Sequence, residues 1–244
     1  MSTASIIDKL KEIRDSNLID VFVPSLGTYV KFKQLSVKQQ KDLIKTGLEG
    51  ALSGIYLDNV INNIIIDNST FNHKFLVTDK ISIIFALRVS SLGTIYKIDD
   101  ETIDLSSIVD KKLIYDLQET KDLTFNDLIQ VNLTVPTIDK DILTNNSQLT
   151  ELVSNKELKI SDAIGSLYVY EVVKFVNSVK INADLLSFDS IQPKDMVKIV
   201  ESLPASLNSD IIKFIQDYRT KENDFLTIDG KTVTMDARFF ALDS

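Results

Sequence analysis

Residues 21–33, VFVPSLGTYVKFK, decide how the chain begins to fold. The first three residues of this stretch are apolar, and further along Val30 and Phe32 alternate with lysines. Such alternation has the two-residue period of a β-strand with one buried face. The intervening Pro24–Gly27 segment favours a turn, because proline presets a negative φ and glycine tolerates a positive one. The stretch therefore predicts a β-hairpin.

A second hairpin is predicted near the C-terminus. Asp229–Gly230 is a favoured two-residue turn, and the segments on either side of it alternate between apolar residues and threonines. In this register Leu226 faces Val233, so one side of the hairpin is apolar and has to be covered. Phe239–Phe240 then begins an apolar tail.

Several helices are predicted between the two hairpins, from apolar residues that recur at helical spacing. Ser36 and Gln39 match a capping box, in which each side chain bonds the backbone of the other. Thr78 is a candidate N-cap for a later helix. A longer amphipathic helix is predicted to begin near Ser161, with an apolar stripe that runs as far as Val179.

Two further segments have clear patterns. Ser5–Arg14 has apolar residues at helical spacing and predicts a short helix before the first hairpin. Ile129–Val135 alternates strictly and predicts a central strand. Pro136 limits the extension of this strand and suggests that it lies at a sheet edge.

These patterns predict an α+β protein that is helix-rich and has β-hairpins near its N- and C-termini. Only seven glycines and four prolines interrupt the 244 residues, which favours long helices. We divide the chain into residues 1–138, with the first hairpin, helices and a short sheet, and residues 139–244, a helical region that ends in the second hairpin. The two regions are either separate or parts of one compact unit.

Composition excludes several classes of function. The chain has no cysteine and one histidine, which excludes thiolate metal sites, cysteine nucleophiles and multi-histidine metal sites. It has no glycine-rich phosphate loop. Its most apolar stretch, Ile81–Val89, is far shorter than the about 20 residues that span a bilayer. We expect a soluble intracellular protein with no cofactor, no metal and no membrane span.

Nucleic acid is not an expected partner either. The net charge of −8, from 27 basic and 35 acidic residues, opposes binding to a polyanion. Lys31, Lys33, Lys38 and Lys41 lie close together in sequence, but few aromatic residues interleave them as a stacking platform. These lysines predict a solvated face or a contact with an acidic partner protein.

Few residues suggest catalysis. Asp99–Glu101, with Asp104 nearby, is the densest group of carboxylates, and a solvated acidic turn is a better interpretation than a hard-cation site. Glu171 falls on the apolar stripe of its helix, where it is either a functional acid or, as we favour, a structural residue that lies at the edge of the stripe or pairs with a nearby lysine such as Lys174. His73 lies in a polar loop, and we expect it to be exposed.

Four segments carry a resemblance to a known family, three near the start of the chain and one at its end. Residues 21–27, Val30–Lys33 and Gln39–Ile44 resemble the start of the T4-type baseplate hub and hub-assembly proteins of contractile-tailed phages. The end of the chain, Phe225–Phe240, is similar to the C-terminus of that family.

This resemblance implies a function in the virion or in its assembly, without catalysis. The partners would be other baseplate hub proteins, and the location would be the virion tail baseplate or the host cytoplasm during assembly. The oligomeric state does not follow from it. The residues expected to contact partners lie in the two hairpins: Phe22, Pro24, Gly27, Phe32, Lys33, Phe225, Asp229, Gly230, Phe239 and Phe240.

Other interpretations remain open at this point. The two glycines suit turns, and the aromatic residues suit the core, which we favour for Phe22 and Phe32. If the C-terminal tail contacts a partner, deleting residues 238–244 would weaken binding more than thermal stability. The chain is alternatively a transient assembly chaperone absent from the mature virion, or a carboxylate-based hydrolase. A hydrolase would need a deep polar pocket with convergent acids of raised pKa.

Overall fold

The computed structural model describes residues 3–48, 52–98, 101–109, 120–154, 160–228 and 230–241. Contacts between residues divide the chain into two compact units. The first unit comprises Met1–Tyr115 and Asp224–Ser244, and the second comprises Asp116–Asn223. The fold is α+β and helix-rich with small antiparallel sheets, as the sequence predicts.

The first unit contains two short hairpins and several helices from the N-terminal half of the chain, together with the C-terminal hairpin. Its elements are α1 (Thr3–Ser16), β1 (Leu18–Val23), β2 (Thr28–Lys33), α2 (Val37–Leu48), α3 (Ser53–Asn68), α4 (Asp79–Leu92), β3 (Ile95–Ile98), β4 (Glu101–Asp104), α5 (Ser106–Val109), β9 (Thr227–Ile228) and β10 (Lys231–Thr232).

The β1–β2 hairpin forms as predicted. Val21 pairs with Val30 across the two strands, and both side chains are buried together with Phe32. A 3₁₀ turn over Pro24–Leu26 joins the strands and ends at Gly27, whose φ of 62° lies in the left-handed region. Glycine is needed at this position because an L side chain is strained at such a φ.

The predicted starts of α2 and α4 are both confirmed, with Thr78 at the N-cap position of α4. The Ser36 amide donates to the Gln39 side-chain oxygen at 2.9 Å, and the Gln39 amide donates to the Ser36 hydroxyl at 3.2 Å. Thr78 does not cap α4 with its side chain. The Asp79 carboxylate accepts the Leu76 amide instead, at 2.8 Å, so it holds the turn that leads into the helix.

The second unit contains a four-stranded antiparallel sheet in the order β5-β6-β7-β8, with helices between and after the strands. Its elements are β5 (Thr120–Phe125), β6 (Ile129–Thr134), α6 (Ile138–Ser154), α7 (Ile160–Phe175), β7 (Val176–Ile181), β8 (Asp184–Ser187), α8 (Pro193–Glu201) and α9 (Ala205–Leu226). The last residues of α9 are grouped with the first unit.

The predicted strand at Ile129–Val135 is present as β6 and is central, because it pairs with β5 on one side and β7 on the other. The suggestion that Pro136 marks an edge strand is wrong. β6 ends at Thr134, so the proline follows the strand and removes no hydrogen bond from the ladder.

The predicted extent of the long amphipathic helix is also wrong. α7 ends at Phe175, and Val176 and Val179 belong to β7. Val179 pairs with Val131 of β6 and is buried in the sheet. Pairing with a neighbouring strand here outweighs the helical spacing, since β-branched residues fit a pleated, half-buried surface.

The two units differ from the division predicted between residues 138 and 139. β6 lies before that point and β7 lies after it, and the pairing of the two strands groups both with the helices of the second unit. The C-terminal hairpin, β9 and β10, is grouped with the N-terminal elements.

Within the part of the chain that the structure describes, no helix combines the length and the apolar composition needed to cross a lipid bilayer.

Candidate interaction surfaces

The Pro24–Gly27 turn is fixed to the start of α4. The Ser25 amide and hydroxyl donate to the Asp79 carboxylate at 2.8 and 2.7 Å. Asp79 is fully buried, and this burial raises its pKa against the effect of its hydrogen-bond donors. Ser25 therefore fixes the turn in place. Within the turn, Pro24 is half-buried and Gly27 is exposed.

Some residues of the first hairpin remain partly accessible to a partner. Phe22 is half-buried, and its ring lies edge-on to Tyr29 with centroids 5.5 Å apart. Lys33 is also partly accessible, with its Nζ 3.4 Å from the Asp15 carboxylate. Phe32 has no exposed surface and packs on Phe75 at 5.7 Å. Phe32 is therefore a core residue, which is the interpretation that the sequence favoured.

The C-terminal aromatic residues lie in the core of the first unit. Phe239 and Phe240 have 0% exposure. The Phe239 ring contacts Phe85 and Tyr96 at centroid distances of 4.8 and 5.5 Å. Gln40 of α2 donates its side-chain amide to the Phe240 carbonyl at 2.9 Å. Side chains without exposed surface cannot contact another protein in this conformation, so packing is their role.

Of the other predicted contact residues near the C-terminal hairpin, one is buried and one is exposed. Phe225 is buried, whereas Gly230 is exposed and has a φ of 80° that suits its place in the turn. Leu226 accepts the Val233 amide at 2.8 Å, as the predicted register requires. Asp229 lies outside the described residues.

Arg88 of α4 holds the C-terminal tail, a role that the sequence analysis missed. Its side chain is 1% exposed, and its Nε donates to the Phe239 carbonyl at 3.2 Å. The same guanidinium donates to the carbonyls of Gly93 and Ile95. It also lies 5.8 Å from the centre of the Tyr96 ring. The sequence signal that could have identified it is a charged residue inside the otherwise apolar stretch Ile81–Val89.

A row of exposed apolar side chains follows α1, and we call Ile6, Ile7, Leu10 and Ile13 the α1 strip. These side chains are 47, 46, 61 and 65% exposed, and α1 buries none of its residues. Helical spacing places them on one face. Apolar groups clustered in this way mark interaction sites more often than isolated exposed residues do.

α2 carries a smaller apolar surface. Val37 and Leu48 are exposed, and Ile44 lies between them on the helix. A shallow depression of about 370 Å³ beside this row is lined by Val37, Ile44 and Ala241 among others. Lys41 also lines it, so part of the lysine group predicted from the sequence flanks an apolar surface.

A network of charges lies inside the second unit. Lys174 Nζ is 2.6 Å from Asp141 and 3.6 Å from Glu171, which confirms the favoured pairing of Glu171 with Lys174. Glu171 also pairs with Arg219 of α9. Burial acts to raise the pKa of Glu171, but Arg219 and Lys174 hold it below its usual value. Glu171 therefore stays ionised at neutral pH and cannot serve as a general acid there.

A groove of about 530 Å³ in the second unit is lined by polar residues together with Leu143 and Pro193. Tyr170 donates its hydroxyl to the Glu151 carboxylate at 2.9 Å and lies 3.2 Å from the Ser147 hydroxyl. Burial is the main cause that raises the pKa of Tyr170 to about 12. Among the described residues that line this groove, Glu151 is the one carboxylate, so they do not supply two convergent acids.

A larger groove of about 640 Å³ in the first unit is lined by residues of α2 and α3 together with Arg14 of α1. Its lining mixes the carboxylates of Asp42 and Asp67 with the ammonium groups of Lys38 and Lys45. Asp79 does have a raised pKa, but it lies in the core and its oxygens accept three hydrogen bonds. It is therefore not placed to act on a substrate.

The other residues singled out for chemistry have ordinary surroundings. His73 is exposed, and its ring stacks on Phe71 at 5.9 Å. Asp104 accepts the Ser106 amide at 3.0 Å at the start of α5. Asp99 and Asp100 lie outside the described residues. No group of three or more metal-binding side chains occurs among the residues that the structure describes.

Comparisons with known proteins add no family and no relative. No protein family matches the chain, and neither a curated protein nor a solved structure is significantly similar to it.

The stability of the protein is expected to rise with pH as Lys140 titrates. Burial lowers the pKa of Lys140 from its ordinary 10.5 to about 8, and its Nζ donates to the Val176 carbonyl at 2.7 Å. The folded chain therefore releases this proton at a lower pH than the unfolded chain does. Stability is gained as pH rises from about 8 towards 10.5.

Denaturant unfolding near neutral pH and near pH 9.5 tests this expectation. The wild type should gain about 1–2 kcal/mol relative to Lys140→Met over that interval. Lys194→Met, at an exposed position of the same unit, is the control and should follow the wild type. If Lys140→Met followed the wild type as well, Lys140 would not be the group that titrates.

Proposed function

We propose that the chain is a non-catalytic bacteriophage tail baseplate hub component or assembly factor that acts through protein–protein contacts. The observation that carries this proposal is the α1 strip, which leaves four large aliphatic side chains about half exposed or more. Because these side chains are already partly covered, a partner's apolar surface would recover about half of the roughly 1.5–3 kcal/mol that full burial of each contributes.

The assignment to a phage baseplate rests on the resemblance of residues 21–44 and Phe225–Phe240 to the hub family. Much of that resemblance lies in structural features of the first unit. Pro24–Gly27 forms the turn that Asp79 anchors, and Phe239–Phe240 fills the core. In a member of such a family, these segments would stabilise the fold. The exposed faces of α1 and α2 would contact partners.

A catalytic function has less support from the described residues. Glu171 is held ionised by two cations, and the described residues that line the groove beside Glu151 include no second carboxylate. The carboxylate-based hydrolase remains the alternative, and its test is simple. Turnover of a small substrate that is lost on changing one acidic side chain would contradict the proposal.

Co-purification tests the proposed function. The chain is tagged and purified from cells infected with the phage that encodes it, and the bound proteins are identified by mass spectrometry. We expect other baseplate hub proteins to be recovered with it, and an empty tag as the control should recover none. Recovery of no tail protein would contradict the proposal.

The composition of purified virions separates the two forms of the proposal. A structural hub component is present in the particle. A transient chaperone is absent from the particle but is required while the baseplate assembles, so a phage lacking the gene would fail to form baseplates. A phage that assembles normally without the gene would contradict both forms.

A further inference from the structure

We propose that the α1 strip binds an amphipathic helix of another protein, and that acidic residues flank the apolar seam of that helix. This inference rests on the proposed function only in that the protein acts by binding proteins, and it adds the chemistry of the partner. It follows from where α1 places its apolar and charged side chains.

The α1 strip has the spacing of a coiled-coil seam. Ile6, Leu10 and Ile13 follow one another at intervals of four and three residues, so they occupy heptad positions d, a and d. Ile7 lies beside them at position e. α1 has 14 residues and is therefore about 21 Å long, which is enough for two heptads of contact.

The charges of α1 are sorted between the edges of the seam and the opposite face. Lys9 occupies position g and Arg14 occupies position e, so both flank the strip. The three carboxylates of α1, those of Asp8, Glu12 and Asp15, occupy positions f, c and f, away from it. Residues at e and g set partner choice in helix pairs through their charges. Basic edges therefore favour a helix with glutamate or aspartate at those positions.

A second copy of this chain does not supply those acids. In a parallel pair, position g of one helix faces position e of the other, which sets Lys9 against Arg14. In an antiparallel pair like edges face each other, so the edge that carries Lys9 meets its own copy. Arg14 also contacts Asp15 at 3.0 Å, which leaves Lys9 as the more available of the two cations.

A membrane surface is also a poorer fit than a helix. α1 carries three basic and three acidic residues and thus no net charge, and the whole chain has a net charge of −8. Attraction to anionic lipids needs an excess of basic residues close to the surface. The α1 strip also has no aromatic residue, although interfacial helices commonly carry them.

Two synthetic 21-residue helices test the inference. Both carry the same leucine and isoleucine seam at positions a and d, and they differ at positions e and g, which are all glutamate in one and all lysine in the other. Like charges keep each peptide from pairing with itself. Binding to the full chain is measured by fluorescence anisotropy at low and at high salt.

We expect the glutamate peptide to bind at least tenfold more tightly than the lysine peptide, and this preference to shrink at high salt. The Lys9→Glu/Arg14→Glu double variant should reverse the preference, and Leu10→Asp should abolish binding of both peptides. Lys11→Glu is the matched control, because position b lies off the seam, and it should bind like the wild type. Circular dichroism confirms that each variant is folded.

Four outcomes would overturn the inference: equal binding of the two peptides, no binding of either at millimolar concentration, a dimer of the full chain that Leu10→Asp dissociates, or binding to anionic phosphatidylserine vesicles that Leu10→Asp removes. These measurements use no phage component. The peptide experiment can therefore give a negative result while hub proteins still co-purify with the chain. It can also give a positive result when no hub protein co-purifies.

Discussion

Phe239→Ala is expected to lower the free energy of unfolding of the first unit by about 3–5 kcal/mol. Phe239 is fully buried, and its ring contacts Phe85, Tyr96 and Phe240 at centroid distances between 4.8 and 5.5 Å. Truncation removes these contacts and leaves a cavity that a packed core closes only in part. Urea denaturation followed by circular dichroism measures the loss.

Phe71→Ala is the matched control for this substitution. It removes the same side chain from the same unit, but Phe71 is 51% exposed and so should cost less than about 0.5 kcal/mol. Equal losses for the two variants would show that Phe239 is not a core residue. The burial of Phe239 and Phe240 also reverses an expectation from the sequence, since deleting residues 238–244 should now reduce stability first.

Arg88→Met is the second substitution with a large expected effect, a loss of about 2–4 kcal/mol. Methionine keeps much of the volume of the side chain but cannot donate to the carbonyls of Gly93, Ile95 and Phe239. The bond to the Phe239 carbonyl is buried, and a buried carbonyl left without a donor costs about 1–3 kcal/mol. The bonds to Gly93 and Ile95 are only partly buried, so water can replace the lost donor there at a smaller cost. The tail that carries Phe239 would then lose its attachment to α4.

Arg238→Met is the control for Arg88→Met. The Arg238 side chain is 68% exposed and pairs with Asp236 at 2.9 Å, only two residues away. Exposed pairs of this kind contribute about 0–1 kcal/mol. Thermal unfolding should therefore be nearly unchanged in Arg238→Met and markedly earlier in Arg88→Met. A melting temperature for Arg88→Met close to that of the wild type would contradict the role given to Arg88.

Local patterns in the sequence predicted the elements whose stabilising contacts are near in sequence. The capping box of Ser36 and Gln39, the Pro24–Gly27 turn and the register of Leu226 with Val233 each depend on residues at most a few positions apart. Turn and cap chemistry is therefore visible without tertiary structure.

Long-range contacts explain what the sequence did not predict. α7 stops at Phe175 because the next residues pair with β6, about 45 positions earlier in the chain. Thr78 occupies the N-cap position of α4, but the side-chain hydrogen bonds there come from Asp79, which bonds Leu76 and also Ser25 of the first hairpin. Gly47 weakens a helix in local terms, yet a Cβ there would lie 2.8 Å from the Ala237 nitrogen of the C-terminal segment.

Tertiary structure also shows which apolar residues the rest of the chain covers and which it leaves exposed. Hydrophobic spacing marked both Ile6–Ile13 and Phe239–Phe240, but it does not say which set another part of the chain covers. In the structure the tail is covered by α2, α4 and β3, whereas α1 remains open. The surface proposed for partners therefore moves from the C-terminal tail to the N-terminal helix.

Co-purification with a single-residue variant tests most directly whether the protein works through α1. Wild type and Leu10→Asp are tagged, their melting temperatures are compared, and the tail proteins recovered with each from infected cells are quantified. We predict equal melting temperatures, because Leu10 is 61% exposed, and at least a tenfold lower recovery of tail proteins with Leu10→Asp. Equal recovery with both proteins would contradict this account.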